Sequence, residues 1–316
     1  MEEYRPQNFE SENEDRKKTF FQDSQLNQLM PLWMKIVFFF LGWLGFQVLS
    51  MFLQLAFRPL YVAGIIDAGM YNAILMLTVY GILALFFALF FICNKKIGKA
   101  FLNDFKDYKA ILFGFAVCVA VLVVENLISY TYQVCFPKIY GSNNNQQGLQ
   151  SDVASSPIML FFPIVLFAPF TEELTYRIGL VDSFGKKNRW IGIAVSAIIF
   201  GFIHFSFDSI LLYANYDALL SQHSSSLIKE VSSITGEYVY YTFEEVRNMM
   251  VNEFLNLPIY IIAGFLMALG YAITGNISTS MSAHFMNNLI SFISMVALLN
   301  GGNQGQIVQV FHCALW

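Results

Sequence analysis

The chain has 316 residues, 56% hydrophobic and 17% aromatic, with 13% charged and a formal net charge of -4. Soluble domains carry about 25% charged residues. This composition, with a mean hydropathy of +0.54, excludes a soluble globular fold and describes a polytopic membrane protein. The small net charge says little about partners, and no nucleic-acid partner is expected.

Residues 1–30 are polar and mixed in sign, and read as a flexible cytoplasmic tail rather than a cleavable signal peptide. Apolar runs of about 20 residues mark membrane helices. They fall near 32–57, 70–94, 110–136, 157–180, 190–214, 257–274 and 277–299. The expected fold is therefore an all-α polytopic membrane helix bundle of about seven transmembrane helices, with room for an eighth. Its expected parts are N-terminal helices in 31–136, a second membrane domain over 155–300 with a polar insert at 215–256, and a short tail at 301–316. Thr274-Gly275-Asn276 reads as a tight turn, and Thr242 as the cap of an amphipathic helix in the insert.

Lys and Arg residues set orientation. The tail before residue 31 holds four, the 95–109 loop five and the 181–189 loop three, whereas the loops near 58–69 and 137–156 hold one each. The tail and the Lys/Arg-rich loops are expected in the cytoplasm, and the acidic insert outside. The cysteines Cys93, Cys118, Cys135 and Cys313 are scattered, without metal-type spacing or a disulfide framework.

Three intramembrane polar clusters stand out. Glu172-Glu173-x-x-x-Arg177 interrupts an otherwise apolar span, Phe200-x-x-x-His204 lies on the next, and His284-x-x-x-Asn288 on the last. Ionisable groups at membrane depth cost roughly 2.5–3.5 kcal/mol on insertion scales and usually face a polar cavity. Residues four apart share a helix face. A carboxylate beside a histidine can hold and deprotonate a water. A second histidine with an amide can donate to an oxyanion. Together these groups describe peptide-bond hydrolysis within the membrane. Counted along the spans, Glu172 and His284 lie about 10–12 Å from the cytoplasmic ends and His204 about 20 Å, a mismatch in depth. Singly, each cluster has a plainer reading: a Glu–Arg clamp, a helix–helix hydrogen bond from a histidine, or packing by Asn288.

In this order, E-E-x-x-x-R, F-x-x-x-H and H-x-x-x-N resemble the type II CAAX prenyl endopeptidase family, also called the CAAX protease and bacteriocin-processing family. Gly270-Tyr271 and Thr274-Gly275-Asn276 before the last histidine add to the likeness, which covers roughly 155–292. The resemblance implies that Glu172 and His204 activate water and that His284 and Asn288 form an oxyanion hole. Glu173 belongs to the same catalytic group, with Arg177 and Phe200 in support. It leaves metal dependence open: a glutamate–water mechanism needs none, and Glu172, His204 and His284 would be the ligands of a zinc ion if one were bound. It implies a peptide or protein substrate, lipidated or not, and membrane lipid as a partner. It also implies a multi-pass home, with a bacterial cell membrane favoured over the endoplasmic reticulum. Bacterial members are expected in self-immunity or peptide maturation. Two other functions fit parts of the sequence. A regulator or scaffold of the same fold would exploit the long insert. A proton-coupled transporter would use the buried acids but would show repeated halves or broken helices.

Overall fold

The computed structural model describes residues 20–217, 228–231 and 238–300. Most of the expected cytoplasmic tail, the centre of the insert and the expected tail at 301–316 lie outside the described residues.

The elements, in chain order, begin with a short helix α1 (Gln25–Leu29), followed by α2 (Leu32–Val62), α3 (Ala68–Cys93), α4 (Lys95–Asp104), α5 (Tyr108–Cys135) and α6 (Asn144–Ser155). A long span α7 (Pro157–Phe184) comes next. Then come α8 (Arg189–Ile203), α9 (Asp208–Ala214), strands β1 (Ile228–Val231) and β2 (Tyr238–Tyr241), α10 (Phe243–Thr274) and α11 (Ile277–Asn300). Six of these helices are long and apolar enough to cross a membrane, and α8 with α9 makes a seventh if that bent pair counts as one span. The protein is a multi-pass helical bundle. Within the insert, β1 and β2 pair antiparallel, Ile228 opposite Tyr241.

Three features depart from the sequence reading. The expected span 190–214 is two helices bent by 67°. Its first part, α8, has 15 residues, about 22 Å at 1.5 Å per residue, short of the roughly 30 Å hydrocarbon core. Second, the capping box at Thr242 is present, its hydroxyl accepting from the Glu245 amide at 3.2 Å. The helix it opens, however, is not a separate amphipathic piece: α10 runs unbroken for 32 residues through Pro258 into the membrane span. Third, residues 20–30 are ordered, with Ser24 capping α1 through the Asn27 amide at 2.7 Å.

The Thr274–Asn276 turn is confirmed, with Gly275 in the left-handed region at φ 62° and ψ 23°. It is sunk in the protein rather than set at its surface. The Ile277 backbone amide donates to Asp104 Oδ2 at 3.1 Å, the Asn276 side-chain Nδ2 to the Asp104 carbonyl at 3.2 Å, and Ser278–Ser280 are fully buried. That burial explains the depth mismatch of the three clusters. Residues counted from 277 start well inside the bundle, while His204 ends a short helix, and the two meet at one level.

A core of Phe38, Phe87, Phe91 and Phe101 with Leu174 and Ile178 fills the end of the bundle near α1 and α4. There α2 crosses α7 closely: a Cβ on Gly179 would lie 2.7 Å from the Phe39 amide nitrogen.

Candidate active site

The span α7 is not a uniform helix. α-Helical turns at Pro157–Phe161 and Ala168–Glu173 alternate with π-helical stretches at Phe162–Phe167 and Leu174–Leu180. Such stretches often mark functional sites, and here they flank the turn that carries Glu172 and Glu173. The first has a sequence cause. Ala168 donates its amide to the Pro163 carbonyl, the five-residue pattern, so Ile164 would be served next by residue 169. That residue is Pro169, which has no N–H. The Asn288 side chain fills the gap, its Nδ2 donating to the Ile164 carbonyl at 2.8 Å.

Glu173 is fully buried and fully occupied. Arg177 donates from Nε to its Oε2 at 2.8 Å and from Nη2 to its Oε1 at 3.1 Å. His284 Nδ1 donates to the same Oε1 at 3.0 Å. Arg177 is completed by Ser196 Oγ at 3.0 Å and lies over the Phe200 ring, 5.6 Å from its centre. Because a carboxylate only accepts, His284 carries its proton on Nδ1, and Nε2 points away, 3.9 Å from Glu172 Oε2.

Glu172 is held differently. Tyr80 donates to its Oε1 at 2.7 Å, while its Oε2 is buried and, among the described residues, has no hydrogen-bond partner. Buried polar atoms are rarely left so. It borders a cavity of about 400 Å³ whose walls include Tyr80, Glu172, Phe200, His204, His284 and Asn288.

His204 lies where α8 ends. Its backbone amide turns back to Gly201 at 3.2 Å, freeing the Phe200 carbonyl of its usual helical donor. His204 Nδ1 donates to that carbonyl at 2.9 Å. This fixes the tautomer and leaves Nε2 as the basic atom. Tyr260 stacks on the ring, centroids 4.8 Å apart. Phe200 stands between the two histidines, 4.8 Å from the His204 ring and 5.8 Å from the His284 ring.

Over the cavity lies α6. Glu253 accepts from the Asn144 amide at 2.8 Å and from the Ser206 amide at 3.3 Å. Tyr260 donates to Asn143 at 3.2 Å, and Asn72 to Asp152 at 2.9 Å. Burial pushes the Asp152 carboxyl above its ordinary range, and the Asn72 amide offsets part of that rise.

The three clusters read from the sequence thus meet around one cavity, with Glu173 and Arg177 set behind its wall. Sequence reasoning missed Tyr80, Ser196 and the α6 roof. Tyr80 left one signal, a tyrosine in the middle of an apolar span rather than at the interface where tyrosines usually sit. As for a metal, no group of three or more His, Cys, Asp or Glu among the described residues is arranged to hold one. Glu172, His204 and His284 do not form a ligand set here.

A helical multi-pass bundle with a carboxylate and two histidines around one cavity defines a membrane-embedded enzyme-like site. Residues 154–290, a little under half of the chain, match the family model described as type II CAAX prenyl endopeptidase Rce1-like. The matched segment, which holds all three clusters, is similar to a domain of a protease family. No curated protein and no solved structure matches the chain.

Proposed function

We propose that the protein is an intramembrane endopeptidase that hydrolyses a peptide bond with a water activated by Glu172. The observation that carries this reading is the unpartnered Oε2 of Glu172 on the cavity wall, next to two histidines of fixed tautomer. Tyr80 holds the other oxygen and so orients the carboxylate. Glu172 Oε2 takes a proton from water, and His204 Nε2 accepts the water's second hydrogen. The oxygen adds to the scissile carbonyl carbon. The resulting oxyanion receives hydrogen bonds from the free N–H of Asn288 and from His284 Nε2, the latter when that ring carries both protons. Collapse breaks the C–N bond, and Glu172 returns its proton to the leaving amine. Glu173 is a positioning residue, acting through His284, with Arg177 holding it. The mechanism routes no step through a metal.

The N-terminus is assigned to the cytoplasm and the host membrane to a bacterial cell, with peptide maturation or self-immunity as the biological setting. A membrane regulator of the same fold is the second reading, favoured by the insert between α9 and α10. Comparing the peptides in membranes that contain wild-type protein or Glu172→Gln separates the two. New cleavage products with the wild type alone support the peptidase. Equal effects of both proteins on the host favour the regulator.

A further inference from the structure

We propose that Glu253 is a positioning residue of this site, acting through His204: its two carboxylate oxygens hold the bend that ends α8 and the loop that fixes the ring stacked on His204. For what His204 does, this rests on the peptidase reading; for where His204 is held, it does not.

The helix that delivers His204 has to stop at the right residue. Beyond Ile203 the chain closes with tight turns, the His204 amide donating to the Gly201 carbonyl at 3.2 Å and the Phe205 amide to the Phe202 carbonyl at 3.3 Å. The next amide, that of Ser206, would extend an α-helix by donating to the carbonyl four residues back, at Phe202. It donates instead to Glu253 Oε2 at 3.3 Å. A continued helix would also return the His204 amide to the Phe200 carbonyl, the acceptor that His204 Nδ1 now uses at 2.9 Å. Glu253 therefore holds the break on which the His204 tautomer depends.

The other oxygen reaches the same ring by a second route. Glu253 Oε1 accepts from the amide of Asn144, the first residue of α6, at 2.8 Å. That bond seats Asn143, the α6 cap, whose Oδ1 accepts from the Gln146 amide at 3.0 Å and from the Tyr260 hydroxyl at 3.2 Å. Tyr260 in turn lies almost parallel to the His204 imidazole, with 12° between the planes. One carboxylate thus sets both the backbone and the ring of the histidine.

Glu253 serves as a fixed reference because α10 crosses α8 closely. A Cβ on Gly201 would run into Ile261 Cγ1, and one on Gly264 would lie 2.9 Å from the Phe200 ring. Phe205, just past the break, packs on Phe254, ring centroids 5.3 Å apart. Glu253 is 1% exposed, and among the described residues it forms no ion pair with Lys, Arg or His. It is not half of a charge clamp. A carboxylate suits the place because, ionised, it accepts at two points and donates at none.

The test uses the full-length protein with Glu253→Gln, which keeps the shape of the side chain but turns an N–H donor toward one of the two amides. The histidines are reacted with diethyl pyrocarbonate, and each modified residue is located and timed by mass spectrometry. His204 should react several-fold faster than in the wild type, as a ring released by local opening does, while His284 keeps its rate. Equal acceleration of both histidines, or of neither, overturns the proposal, since a merely structural acid would loosen the whole site or nothing in it. Should Glu253→Gln fail to fold, Glu253→Asp, one methylene shorter, is read in the same way. In turnover, kcat should fall by about 10²-fold, the cost of a misplaced catalytic group, with KM little changed. Once His204→Ala is in place, Glu253→Gln should cost nothing further, and an added loss in that background overturns the action through His204. The acylation needs no turnover, so a wild type without peptidase activity would sink the peptidase reading and leave this placement standing.

Discussion

His284 Nδ1 donates to Glu173 Oε1 at 3.0 Å, 111 residues away in sequence. The bond turns the imidazole so that Nε2 faces the cavity, and it ties α11 to α7 at the level of Glu172. Glu173 can do this because Arg177 clamps it with two hydrogen bonds in a site where neither side chain is exposed.

The clamp predicts coupled losses. Breaking a buried ion pair on one side costs about 3–5 kcal/mol. Arg177→Ala should lower the thermal unfolding temperature in detergent and abolish activity. Arg177→Lys should recover part of the stability, since an ammonium cannot fork across two oxygens. An Arg177→Ala protein that melts like the wild type but is inactive would move Arg177 from the clamp to substrate binding.

The proposed mechanism gives Asn288 two jobs that can be separated, one of them its hydrogen bond to the Ile164 carbonyl. Asn288→Ala leaves the Ile164 carbonyl unsatisfied, at a cost of about 1–3 kcal/mol, and removes an oxyanion donor worth about 10²–10³ in kcat. Pro169→Ala restores a backbone N–H at the position that should serve Ile164. In that background the stability cost of Asn288→Ala should shrink, while the kcat loss should persist. Recovery of both in the double variant would make Asn288 purely structural. A double-mutant cycle read by thermal unfolding and by kcat makes the distinction.

Asp104 caps α11 across the chain, and burial raises its carboxyl to about 6, partly offset by the Ile277 amide. The folded protein then binds a proton more tightly than the unfolded chain does. Stability is greatest below about pH 4 for this group and falls as pH rises through 6, by up to roughly 3 kcal/mol. Asp104→Asn should flatten the dependence of unfolding temperature on pH between about 4 and 7. An unchanged slope would mean that Asp104 ionises freely in the fold.

The place of the site was legible because intramembrane carboxylates and histidines are rare and each cluster kept helical spacing. The spans were legible from apolar length. What sequence did not reveal were effects of long-range packing. The break after Ile203 follows no proline, and its consequence, a free Phe200 carbonyl that orients His204, depends on where α8 stops. The sunken turn before α11 depends on Asp104, some 170 residues away. Tyr80 sits in a span that looked like filler. The π-helical stretch was written locally, in Pro169, but its partner Asn288 was not adjacent to it in any pattern.

The most direct test of the central claim follows the water itself. Membranes containing wild-type protein, and matched membranes containing Glu172→Gln, are incubated in H₂¹⁸O, and the released peptides are read by mass spectrometry. Wild-type membranes should yield new C-termini that carry one ¹⁸O, and Glu172→Gln membranes should lose them by about 10²–10⁴-fold, the usual contribution of a general base, while melting like the wild type. Equal yields of labelled C-termini from the two proteins would contradict the assignment of Glu172 as the base.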